Sequence, residues 1–205
     1  VVLIDIGYGT TEITFFEKGS IVTTSVLPVG GEYLTKDLAI VLRTSVEEAA
    51  RIKEKDGIVS RNMLNGGERL ITIRDLQSKE LKEVSQQYIA DILTARVMEI
   101  SEMIYAELRQ FDCLNRIPAG IILTGGEAQL PGIARVLEEC LEIPVRLGLP
   151  ENILGIPLDF NRPQNAAVLG ALICASKQTD INYEKKEGIP GIFDKMRNWF
   201  KDLFS

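Results

Sequence analysis

The chain has 205 residues, 45% hydrophobic and 25% charged, which is enough apolar material for one sizeable core or two small domains and excludes a disordered chain. Its formal net charge of -6 argues against nucleic acid as a partner, because that affinity rests on basic residues neutralising phosphates. No apolar run reaches the roughly 18 residues that a bilayer-crossing helix needs.

Histidine is absent, which removes the usual general base, the commonest metal ligand and every Ser-His or Cys-His pairing. The three cysteines, Cys113, Cys140 and Cys174, lack CxxC spacing, offer no zinc site, suit a reducing compartment and are expected to be buried. Any chemistry would run on carboxylates, hydroxyls, backbone amides and a bound metal. The opening valine stands in a strand already under way, so the chain reads as a fragment.

Strand patterns cover Val1 to Asp5, Glu12 to Glu17 and Ser20 to Leu27, parted by a Gly/Thr loop and by Lys18-Gly19. After Pro28, Gly30 and Gly31 a helical pattern runs to about Leu42. A second one, capped by Thr44 or Ser45 with Glu47 and Glu48 in its first turn, runs to Lys55 and stops at Gly57. A polar loop over residues 58–69 precedes a short strand at Leu70 to Ile73. The longest helix is expected from about Ser78 to Gln110, with Ile89, Leu93, Val97, Ile100, Ile104, Leu108 and Phe111 on one buried face.

Next come a strand at Ile121 to Thr124, a glycine loop, a helix opened by Pro131 and Gly132, and a strand at Val145 to Leu147. A helix rich in small residues is expected from Gln164 to Ser176, as if pressed closely on a neighbour. A polar tether would follow over residues 177–190.

The last segment, GIFDKMRNWFKDLFS, places Ile192, Phe193, Met196, Trp199, Phe200, Leu203 and Phe204 on one helical stripe. Lys195, Arg197, Lys201, Asp194, Asp202 and Asn198 fill the other face. Large aromatics opposite basic side chains fit a helix lying in the lipid interface; docking on a globular core or on a partner's groove is the other use of such a stripe.

Two loops carry candidate ligand chemistry. In DIGYGTTE, Gly7 and Gly9 let backbone amides face an anion, Thr10 and Thr11 add hydroxyls, and Asp5 at the strand end could hold a metal through water. A glycine-rich hairpin whose threonines satisfy their own turn explains the same residues. In LTGGEAQLPG, Gly125 and Gly126 follow a strand and precede a helix, which suits either an anion site or a plain tight turn. No GxxxxGK[ST] loop occurs. On the long helix, Arg96 and Glu99 lie away from the apolar row and read as an exposed i,i+3 ion pair.

Taken together, the two loops, the first on a three-strand meander, resemble the second half of the α/β actin/Hsp70-like ATPase fold, which is ribonuclease H-like. DIGYGTTE matches its second phosphate loop and LTGGEAQLPG its adenosine motif. LPVGGEYLTKDLA, VSQQYIADILTARVMEI, the run from LTGGEAQLPG to RLGLPENILGI, and NAAVLGALICA are similar to the FtsA family of bacterial cell-division proteins. The resemblance assigns residues 1–30 and 121–163 to subdomain IIA, 31–120 mostly to IIB, 164–176 to a helix returning toward IA, 177–190 to a linker and 191–205 to a membrane-targeting helix.

By the same resemblance the ligand is ATP with Mg2+. Gly7, Gly9, Thr10 and Thr11 would face the phosphates, Asp5 the metal's water shell, and Lys53, Gly125, Gly126 and Glu127 the nucleoside. Tyr8 replaces a common glycine, and Ala50 stands where an acidic residue toward the ribose is usual, which implies weak nucleoside affinity. The implied role is binding and scaffolding, with slow ATP hydrolysis at most. Implied partners are the acidic C-terminal tail of FtsZ at Arg96 and Glu99, further copies of the chain in an actin-like protofilament, membrane lipids and other division proteins, at the cytoplasmic face of the division septum. A sugar-kinase-like enzyme and a pilus-assembly relative such as PilM are the alternatives that share the fold.

Overall fold

A computed structural model describes residues 1–60, 69–150, 153 and 155–183. The elements are β1 (Val2–Ile6), β2 (Thr11–Glu17), β3 (Ser20–Leu27), α1 (Gly31–Val41), α2 (Val46–Asp56), β4 (Leu70–Arg74), β5 (Leu81–Ser85), α3 (Gln86–Gln110), β6 (Ile121–Thr124), α4 (Ile133–Leu141), β7 (Val145–Leu147) and α5 (Ala166–Tyr183). The chain divides into two units, Val1–Ala167 and Val168–Ser205.

In the first unit, alternation drives the sheet. Val2, Ile4 and Ile6 of β1 and Ile13 and Phe15 of β2 are fully buried, while Leu3 and Asp5 between them are only partly so. β1 and β2 pair antiparallel with Ile4 opposite Ile13, and β2 turns into β3 through Lys18 and Gly19, both at positive φ (51° and 81°). Tight hairpin turns need that backbone to match strand twist. β6 then adds parallel to β1 and β7 parallel to β6, giving the order β3-β2-β1-β6-β7, in which β2 alone runs against the others.

Helix α1 packs on both α2 and α3, and α3 also reaches α4. Ile89, Leu93, Val97, Ile100, Ile104 and Leu108 of α3 are all buried, as the three-and-four spacing predicts, with Phe111 partly so. Ser45 caps α2 by accepting the Glu48 amide at 3.2 Å, and Glu47 and Glu48 sit at its positive end.

Three expectations shift. Helix α3 begins at Gln86 and not near Ser78, because residues 75–80 form a turn. Asp75 accepts the amides of Gln77 and Ser78 at 2.9 and 3.1 Å and the Lys82 ammonium at 2.6 Å. Lys79 takes a φ of 62°, and Leu81–Ser85 then pairs with β4 until Ser85 caps the helix. Helix α5 continues to Tyr183 and does not stop at Ser176, consistent with the absence of glycine and proline from residue 177 to 187. Of the cysteines only Cys113 is buried; Cys140 and Cys174 are exposed. The proposed membrane stripe, Ile192 to Phe204, lies outside the described residues, and no described helix is long and apolar enough to cross a membrane.

Candidate nucleotide site

β1 and β6 are adjacent and parallel, with Asp5 opposite Thr124, so the loops that follow them leave the sheet at the same edge. Open α/β sheets bind ligands beyond the carboxyl ends of such strands. The sequence places a glycine pair in each of these loops.

In the first loop the Gly7 amide donates to the Thr10 carbonyl at 2.9 Å, closing a tight turn that leaves Tyr8, Gly9 and Thr10 exposed. Neither Gly7 nor Gly9 has positive φ, and a Cβ at Gly9 would meet nothing within 4 Å. Glycine there keeps bare backbone at the surface; the turn itself does not demand it. Thr11 parts from its neighbours. It is fully buried, and its hydroxyl donates to the Val29 carbonyl at 2.8 Å, so it anchors the hairpin and does not stand among exposed donors.

The turn also caps a helix. Gly30, at the start of α1, offers no side chain, and the amides of Gly31 and Glu32 donate instead to the carbonyls of Gly7 and Tyr8 at 3.0 and 2.7 Å. The positive end of α1 is thereby spent on the loop's own carbonyls.

Asp5 lies between the two loops, its Oδ1 only 2.4 Å from where a Cβ on Gly125 would stand; Gly125 has a φ of 94°. Burial, and secondly the charge of Glu12, raise its carboxyl above the usual value. The folded-state pKa thus exceeds the unfolded one, so the ionised carboxylate costs stability above the folded pKa and nothing below the unfolded one. Asp5→Asn should therefore raise the urea midpoint of the ligand-free chain at about pH 7 and lose that advantage below the ordinary aspartate value of about 3.9.

A cavity of about 500 Å³ opens beside these loops, lined by Tyr8, Gly126, Glu127, Gln129 and Gln164, and on the α2 side by Ala50, Lys53 and Glu54. Its volume falls within the roughly 300–1,000 Å³ of small-ligand clefts. Lys53 donates to Glu127 Oε1 at 2.6 Å and to the Gly31 carbonyl at 3.1 Å, and both ionised side chains are about nine-tenths buried. The carboxylate lies so close to Gly31 that a Cβ there would come within 1.8 Å of it.

Glu54 was not foreseen. It stands one turn beyond Ala50 in the same cleft, so a carboxylate faces the cavity even though Ala50 supplies none. The i, i+3, i+4 spacing of Ala50, Lys53 and Glu54 on one helix was the available signal. Among the described residues no group of three or more His, Cys, Asp or Glu could hold a metal ion directly. Asp5 at the loop junction would be the side chain to meet a hydrated Mg2+ if one were held here, and Gly9 and Gly126 leave bare backbone with open space around it for an anion.

Arg96 and Glu99, on α3, form the expected ion pair at 2.5 Å. Arg96 is nevertheless not the free surface charge its spacing suggests. Its side chain is 21% exposed, Nε and Nη2 donate to both carboxylate oxygens of Asp37 on α1 at 2.5 and 2.9 Å, and the guanidinium lies 5.6 Å from the centroid of the Tyr33 ring. Hydrogen bonding to Asp37 foremost raises its pKa, so it stays charged.

A mixed sheet with one reversed strand, helices beside it and two glycine loops at one edge defines an actin-like domain. The fold is similar to that of MreB5 of Spiroplasma citri bound to ADP (TM-score 0.69, 21% identity, covering 90% of this chain and 55% of that one). It is also similar to that of the MamK double helical filament (TM-score 0.58, 18% identity, 83% and 54%). A family model described as cell division protein FtsA matches residues 2–170, and the chain belongs to the FtsA family. It is 36% identical to the cell division protein FtsA of Bacillus subtilis over 90% of this chain and 40% of that protein. Against FtsA of Borreliella burgdorferi it is 34% identical over 98% and 50%, and against that of Pseudomonas aeruginosa 32% over 100% and 51%. The chain spans about half the length of the curated relatives it matches.

Proposed function

We propose that this chain supplies the second half of an ATP- and Mg2+-binding site in an actin-like cell-division protein, where nucleotide governs assembly more than turnover. The observation that carries this reading is the convergence of two glycine loops, from adjacent parallel strands, on one edge beside a nucleotide-sized cleft. The turn 7–10 would meet the phosphates, Asp5 the water shell of Mg2+, and Gly126, Glu127 and Glu54 the nucleoside. Bound Mg2+ would neutralise charge on the phosphate oxygens. Neither glycine loop supplies a histidine or other obvious base to activate water, so hydrolysis would be slow.

Gly9→Ala tests this directly. Open space surrounds the position, so the unfolding free energy from urea titration should stay within about 0.5 kcal/mol of the parent while affinity for ADP with Mg2+ falls about tenfold. Unchanged affinity would remove the phosphates from this turn.

The finer role follows from surface and tail. Arg96 and Glu99 would receive the acidic C-terminal tail of FtsZ, and because Asp37 and Glu99 already take three of the guanidinium's five N–H donors, an incoming carboxylate would compete with them for its charge. Self-association into a protofilament is in keeping with the fold shared with MamK, whose structure is a filament. Residues 191–205 would lie in the membrane interface, each helix binding weakly and an assembled row strongly. The whole would tether FtsZ at the cytoplasmic face of the division septum and recruit other division proteins. Co-sedimentation with anionic vesicles should be lost in a chain ending at Ile189 and weakened with neutral lipid. Equal pelleting of both chains would make the stripe a docking element.

A further inference from the structure

Lys53 is a buried lysine whose charge is spent within the protein. Its ammonium donates to the Gly31 carbonyl at 3.1 Å and to Glu127 Oε1 at 2.6 Å, and the residue is 8% exposed. Gly31 passes the connection on, its amide donating to the Gly7 carbonyl at 3.0 Å beside the Glu32 to Tyr8 bond at 2.7 Å. A continuous chain of hydrogen bonds therefore joins the turn 7–10, the first turn of α1, Lys53 on α2 and Glu127 after β6. Its two ends are the two glycine loops, and α2 itself lines the cleft through Ala50, Lys53 and Glu54.

A lysine whose donors are taken within the protein has fewer left for a phosphate or ribose. Here two of the three ammonium protons already have acceptors, and the glycine at 31 lets the Glu127 carboxylate lie against the α1 backbone, where any Cβ would exclude it. Resting on the nucleotide reading of this cleft, we propose that Lys53 is a positioning residue that fastens the two loops into one unit and acts on the nucleotide only through Glu127 and the turn it holds.

The test is calorimetric titration of ADP with Mg2+ into the full chain carrying Lys53→Met, Glu127→Gln or both, with Lys53→Arg as the conservative variant. Positioning predicts that each single change loses about tenfold in affinity, that the double change is no worse than the poorer single, and that Lys53→Arg recovers part of the loss. Losses that multiply to about a hundredfold would mean two independent ligand contacts and would overturn the proposal.

Amide hydrogen exchange without ligand is the second measurement. Lys53→Met should speed exchange at residues 7–10 and 125–129 together, and a change confined to α2 would count against the fastening. If the unaltered chain binds no ADP, the nucleotide reading falls while exchange still decides on the fastening, so the two fail separately. Should Lys53→Met not fold, Lys53→Met/Glu127→Leu leaves no orphan charge and carries the exchange measurement, with looser loops again the expected result.

Discussion

Gly30→Ala should cost the fold about 3 kcal/mol, although it adds a single methyl group. A Cβ at Gly30 would stand 2.6 Å from the Gly7 carbonyl oxygen and 2.7 Å from that of Tyr8, and both are backbone atoms that cannot rotate away. Relief requires lifting the turn off α1. That breaks the bonds from the Gly31 and Glu32 amides, each worth roughly 0.5–1.5 kcal/mol, and leaves the start of α1 uncapped. Overpacking adds roughly 1–3 kcal/mol if the turn stays in place instead. Urea unfolding measures the sum, and Gly9→Ala, in the turn that Gly30 faces but with open space around it, is the internal control. A Gly30→Ala chain as stable as its parent would show that the turn is not held by α1, and the fastening of the two loops would lose its first link.

Local features of the sequence located most of the elements. The strands β1 to β3 follow from alternation, and the buried row from Ile89 to Leu108 follows from helical spacing, because both depend on residues a few positions apart. The start of α3 did not, since Leu81–Ser85 is too short for its pattern to separate strand from helix, and Ser78 is as plausible a cap as Ser85. The chain turns there because Asp75 gathers the amides of Gln77 and Ser78.

At the site, the glycine loops were visible as motifs, yet what they bind within the protein was not. Thr11 turns inward to a carbonyl 18 residues away, Arg96 pairs with Asp37 across 59 residues, and Lys53 with Glu127 across 74. Contacts of that separation leave no periodic trace. Helical spacing sorts core from surface, but it cannot show that a surface helix lies under a neighbour's carboxylate.

Lys53→Met alone should lower stability by about 3–5 kcal/mol, whereas Lys53→Met/Glu127→Leu should recover most of it. Removing the ammonium strands the Glu127 carboxylate, which is 9% exposed and pressed on Gly31, with no cation to offset its desolvation. Removing both charges removes that penalty together with the attraction, and side chains of similar bulk keep the contact. Urea unfolding of the parent, both single variants and the double gives the coupling between the two residues. If the double variant matches or exceeds the parent, the pair contributes little net stability, and its place beside the cleft is explained by orienting Glu127 for a ligand. If it remains as unstable as Lys53→Met, the hydrogen bond from Lys53 to the Gly31 carbonyl is what α1 and α2 depend on, and the lysine's task is to join the helices.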